Sequence, residues 1–195
     1  MKSKLFIGIA LVSMMFFSSC AKFPQTEIDV AKTAIQETKD LGADVYVPEA
    51  YQAVVDSMTS AENQINVAKG KMFKTYKKEK VSLVLVGQMC TDVKAKTEAR
   101  KAELKAETIS LSATVKALNE TNKELLGKAP KGKEGKVVLI AIASDIASVD
   151  AEIVAVDSLL NVGDLINSNA KIKTANENSV RINGELNEAI SKVKK

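Results

Sequence analysis

The residue best placed to do chemistry is Cys20, because of the nineteen residues in front of it. Met1-Lys2-Ser3-Lys4 is a short positive start, Leu5 to Phe17 is apolar without a charge, and Ser18-Ser19 are small. That order is the order of a secretory signal peptide. The apolar run is about thirteen residues, and a bilayer-spanning helix needs about twenty. A lone cysteine is ordinarily a buried or free thiol, but here it closes a complete export signal. Plain secretion, with cleavage near Ser19 or Ala21, is the competing outcome.

Ser18-Ser19-Cys20 resembles the lipobox of bacterial lipoproteins, although Phe17 stands where an aliphatic residue is usual. The resemblance implies a signal peptide over 1–19 cut between Ser19 and Cys20. It also implies diacylglycerol on the Cys20 sulfur and an acyl chain on the new amino group. Each buried methylene contributes about 0.8 kcal/mol, so several chains hold a protein on a membrane durably. Ala21 is not the Asp that retains such proteins at the inner membrane, and residues 21–25 lack the acidic cluster of surface-exported lipoproteins. The implied location is the periplasmic face of the bacterial outer membrane.

Other chemistry is scarce. The chain has no histidine, the commonest general base and a common metal ligand. No nucleophile–base pair, glycine-rich phosphate loop or metal-ligand spacing stands out, so no catalytic, cofactor-binding or metal residue is assigned. The expectation is a non-enzyme without cofactors. Cys90 is the second of two cysteines and sits in an apolar stretch. A buried, inert thiol is expected there, with an intermolecular disulfide as the alternative.

The charge balance excludes another class. Of the 28 basic residues, Lys2 and Lys4 leave with the signal peptide, so 26 face 24 acidic ones. A nearly neutral exported chain does not suggest nucleic acid as a partner. With no Trp, three Pro and abundant Ala, Val, Ile, Leu, Lys, Glu and Asn, the composition is helical. The fold class expected is all-α, an elongated set of antiparallel helical hairpins or a coiled-coil-like bundle.

The elements follow from periodicity. Residues 20–25 are a lipidated tether. Thr26 and Asp29 suggest a capping box, with Ile28, Ala31, Ile35 and Thr38 on one face and a stop at Leu41-Gly42. Pro48 suits a first helical turn, and Tyr51, Val54, Met58, Ala61 and Ile65 follow as an apolar side ending near Gly70. Residues 26–70 thus form an N-terminal helical pair. Within it, Gly42-Ala43-Asp44, Tyr46, Pro48-Glu49 and Tyr51 resemble a bacterial domain-of-unknown-function family of helical envelope lipoproteins. Its members often precede an OmpA-like domain, and none is visible here. The resemblance covers roughly residues 26–90 and implies architecture and location, not a reaction.

Residues 71–195 read as a long helix, a loop at 127–135 and two returning helices. Tyr76, Leu83, Val86, Cys90, Val93, Thr97 and Arg100 make the first seam; Thr108, Leu111, Val115, Leu118, Asn122 and Leu125 make the second. A four-residue step after Leu104 separates them like a stutter. Gly87 is a soft spot and a candidate kink. Ile142, Ile146, Val149, Ile153, Val156 and Leu160 answer across the loop, which predicts an antiparallel hairpin. Lysines 94, 96, 101, 105 and 116 on one arm then face Asp145, Asp150, Glu152 and Asp157 on the other. Ile172, Ala175, Ser179, Ile182, Leu186, Ala189 and Val193 mark the last helix, after an interruption at Val162-Gly163-Asp164. Asn66-Val67-Ala68-Lys69 and Asn161-Val162-Gly163-Asp164 are weakly alike and suggest a duplicated helical unit.

Three features leave alternatives. Leucines 104, 111, 118 and 125 with Asn122 could zip a parallel dimer, but the intrachain hairpin explains them without a homo-oligomer. Lys69, Lys71, Lys74, Lys77, Lys78 and Lys80 could meet anionic headgroups or cell-wall polymer; a solvated helix face is the simpler account. The terminal Lys195 resembles that of small helical lipoproteins joined to peptidoglycan, without the Tyr-Arg that precedes it there. The function expected is structural or interaction-based, with the membrane and other envelope proteins as partners. A lipid or protein carrier or chaperone, a peptidoglycan-linked spacer and an unusual envelope enzyme are the alternatives.

Overall fold

The computed structural model describes residues 22–72, 75–130 and 135–193. Ser19, Cys20 and Lys195, on which the lipidation, cleavage and peptidoglycan expectations fall, lie outside the described residues. Six α-helices and no strand occur among the described residues: α1 (Gln25–Asp40), α2 (Ala43–Tyr46), α3 (Pro48–Lys69), α4 (Lys77–Lys128), α5 (Gly135–Val162) and α6 (Leu165–Val193). The all-α bundle expected from composition is what forms. Packing divides it into two compact units, one up to Thr97 and one from Glu98, so each takes one part of α4.

In the first unit, Pro24 precedes α1 and no side chain caps it. The capping box expected from Thr26 to Asp29 is not made. The helix starts one residue earlier, and Gln25 Nε2 donates to Asp29 Oδ1 at 2.8 Å. At the other end Gly42 has φ +88° and donates to the Lys39 carbonyl at 2.7 Å. Only glycine adopts that left-handed conformation without strain. The segment expected as a plain connection holds the short turn α2, because Val45 and Tyr46 both donate back to the Gly42 carbonyl. Pro48 then opens α3 at its first turn.

Ion pairs give the helix directions. Lys80 meets Glu27 at 2.6 Å and Lys94 meets Glu37, so α4 runs parallel to α1. Lys32 meets Glu62 at 2.9 Å, and Ser82 donates to Gln64 at 3.4 Å, with α3 returning between the other two. The core is Ile28, Ala31, Val54, Met58, Ala61, Ile65, Leu83, Val86, Cys90 and Val93, with Ala43, Ala68 and Tyr76 at its ends. Its buried polar residues, Thr38 and Thr97, donate to carbonyls of their own helices, Ala34 at 2.6 Å and Val93 at 2.8 Å. A hydroxyl satisfied inside its own helix asks nothing of its neighbours.

The second unit has the same course. Lys116–Asp157 at 3.1 Å and Lys123–Asp150 at 3.0 Å set α5 antiparallel to α4. Arg181–Asp145 at 2.8 Å, across the tight turn at Gly163 (φ +80°), sets α6 antiparallel to α5. Lys173–Glu107 and Asn183–Asn122, both at 2.8 Å, set α6 parallel to α4. Each unit is thus a three-helix bundle, and the two similar tetrapeptides fall at the end of the middle helix in each: Lys69 closes α3 and Val162 closes α5.

One expectation changes. The charges do not simply pair between two arms. Asp145 goes to α6, Lys94 to Glu37 of α1 and Lys101 to Glu98 of its own helix, whereas Lys116 meets Asp157 as expected. A third helix gives each charge a second neighbour. Gly87, the candidate kink, lies inside α4, which is helical throughout 77–128.

Candidate functional site

Two places in the fold carry more polarity or charge than packing demands. The first is the interior of the second unit. Asn122 lies on the face of α4 shared by α5 and α6, where a heptad position must point inward. It is fully buried. Its Nδ2 donates to the Ser179 carbonyl at 2.8 Å and to Ser179 Oγ at 3.2 Å, and its Oδ1 accepts from Asn183 Nδ2 at 2.8 Å. One turn earlier Asn119 faces α5, donating to the Ile146 carbonyl at 3.2 Å and to Asp150 Oδ1 at 2.8 Å. Towards the other end Asn169 of α6 donates to Glu107 Oε2 and Thr108 Oγ1, each at 3.1 Å.

These amides bridge helices and fix which residue faces which. A buried amide that loses its partner costs about 1–3 kcal/mol, so a register slip is penalised at three levels. The arrangement holds no nucleophile beside a base. Three buried atoms, Ser112 Oγ, Asn119 Oδ1 and Glu152 Oε2, have no hydrogen-bond partner among the described residues. Asn122 was legible from the seam. Ser112, Asn119 and Asn169 were not, since none of them falls on the heptad seams read from the sequence.

The second place is the end of the first unit where α1 and α4 begin and α3 stops. Phe23 packs edge-on against Tyr76 with ring centroids 5.7 Å apart, and Lys69 Nζ lies 5.8 Å from the Phe23 centroid. Lys80 holds Glu27. Partial burial pushes the Glu27 carboxyl up, but its hydrogen bonds to Lys80 and backbone, with the lysine charge, bring it below the ordinary value. Lys71 and Lys78 border a shallow depression of about 640 Å³ with Asp56, Thr59, Asn63 and Glu79. A second, of about 420 Å³, is bordered by Thr26, Asp29, Val30 and Glu37. Both have polar rims and neither is an apolar groove.

Cys90 is buried in the first core as a free thiol. Burial pushes its pKa up, against a smaller opposing pull from Thr38 and Lys94. A protonated, enclosed thiol is a poor nucleophile. Among the described residues no group of three or more Cys, Asp or Glu is placed to hold a metal, and no helix is long and apolar enough to cross a membrane. No family model, curated protein or solved structure matches the chain.

Proposed function

We propose that this is an exported bacterial lipoprotein, held by acylated Cys20 on the periplasmic face of the outer membrane, with a structural or protein-interaction role in the envelope. The observation that carries the reading is the sequence from Met1 to Cys20: positive start, short apolar run, two small residues and a cysteine. The fold agrees with it in two ways. In the second unit Asn119, Asn122 and Asn169 are spent on holding helices in register. The two shallow depressions of the first unit are bordered mostly by polar residues, which suits a scaffold better than a lipid carrier. The resemblance of residues 26–90 to helical envelope lipoproteins points the same way.

Growing producing cells with a labelled fatty acid tests the anchor. The chain takes up label and sediments with membranes, and Cys20→Ala abolishes both. A wild-type chain that stays unlabelled and washes out with soluble proteins overturns it. Crosslinking in intact cells tests the role: a specific envelope protein joined to exposed positions of the bundle supports it, and crosslinks to none oppose it.

A further inference from the structure

The up-down-up course of the first unit has a consequence for its two ends. The α3–α4 turn must lie at the end where α1 starts, and the contacts of Phe23 with Tyr76 and Lys69 place it there. Cys20 is only three residues before Phe23, so it lies within about 10 Å of that residue even when extended. If Cys20 is acylated, the turn is the part of this unit carried nearest to the lipid.

The composition of the turn fits that position. Residues 69–80 contain six lysines against one acid, Glu79. Lys80 is taken by Glu27, whereas Lys69, Lys71, Lys77 and Lys78 are exposed and in no ion pair among the described residues. Asp56 and Glu79 temper the charge in the depression beside Lys71 and Lys78, leaving Lys69 and Lys77 clear of it. Met72 is 94% exposed and Phe23 42%. A lysine run elsewhere on a helix is ordinary solvation. At the tethered end, with a fully projecting thioether among the ammonium groups, it has the chemistry of an interfacial contact.

We propose that the α3–α4 turn docks on anionic phospholipid headgroups, with Lys69, Lys71, Lys77 and Lys78 at the phosphates and Met72 dipping among the upper acyl carbons. This rests on the lipid anchor proposed above and extends it to a two-point attachment. One anchor lets the unit swivel; a second contact sets its α1-start end against the bilayer. Each lysine near an anionic surface contributes roughly five-fold in partitioning.

The test uses the mature chain purified from membranes, with its acylation read by intact mass. Single variants Met72→Cys and Val45→Cys carry an environment-sensitive dye; wild type, with Cys90 buried, is the labelling blank. Val45 is exposed in α2, at the opposite end of α3, about 30 Å away by helix rise. The chain is placed in phosphatidylcholine vesicles with or without phosphatidylglycerol, and a lipid-borne quencher is added. The expected result is several-fold stronger quenching at 72 than at 45. It requires phosphatidylglycerol and is lost on adding Lys71→Glu, Lys77→Glu and Lys78→Glu to a chain whose circular dichroism is unchanged. An acylated chain that quenches equally at both positions, or equally without phosphatidylglycerol, overturns the contact and leaves the anchor standing. If the mass shows no acyl chains, the anchor reading fails. Flotation of that same chain with phosphatidylglycerol vesicles then decides the contact: lysine-dependent flotation supports it, and no flotation overturns it.

Discussion

Asn122 shows how one side chain is used twice over: it occupies a core position and satisfies two acceptors and a donor on the facing helix. Truncation and apolar replacement should therefore differ. Asn122→Ala strands Asn183 and opens a small void, at a cost of about 2 kcal/mol in urea unfolding. Asn122→Leu restores apolar contact and should lose less, but it removes a register device, so a mixture of packings should broaden amide spectra. Equal losses and equally sharp spectra would count against the register role. Acid sensitivity belongs to the same scale. Lys173 and Asn169 hold Glu107 below the ordinary carboxylate value of 4.5, and Glu27 is also lowered. A depressed carboxylate stabilises the fold above pH 4.5, and that contribution goes as pH falls through the folded-state value. The urea midpoint should drop below about pH 4.5, less so in Glu27→Gln. Glu107 is exposed and Glu27 partly so, so added salt should shrink the effect.

At the scale of elements, the seams of α3, α5 and α6 were legible. Val54, Met58, Ala61 and Ile65, then Ile142, Ile146, Val149, Ile153 and Val156, are all buried at the three-four spacing that marks an inward face. The stops at Gly42 and Gly163 were legible because glycine acts locally, whereas α4 runs through Gly127 to Lys128. What periodicity could not supply was the second buried face of α4. Leu118 is only half-buried while Ser112 and Asn119 are buried, because two partner helices widen the stripe beyond one heptad seam. The start of α4 was likewise placed six residues early, at Lys71, since charge and propensity continue smoothly there. Gly87 offers a clean test of helix propensity. A methyl group there meets nothing within 4 Å. Gly87→Ala should raise stability by about 1 kcal/mol. No gain in unfolding midpoint would mean that the glycine is needed for a bend.

For the whole molecule, the division at Thr97 and Glu98 raises the question of how far each bundle opens alone. Cys90 is a built-in reporter, because its thiol reacts only when the first core opens. Ile65→Ala in that core, costing about 3 kcal/mol, should speed thiol labelling about a hundred-fold. Ile182→Ala in the second core should change it little. Equal acceleration by both would show that α4 transmits opening from one bundle to the other. Cores also differ in kind. The first is nearly all apolar and tolerant of small shifts, whereas the second is threaded with bridging amides and should resist repacking.

Sequence alone determined that this chain is helical, where most helices stop and which faces turn inward. Those properties depend on neighbours within a turn or two. Tertiary structure decided the rest. It made three-helix bundles of what pattern could read only as hairpins, and it sent Asp145 and Lys94 to unforeseen partners. It also brought the lysine-rich turn beside Phe23. A periodic stripe says that a residue is covered, but only the folded chain says by what.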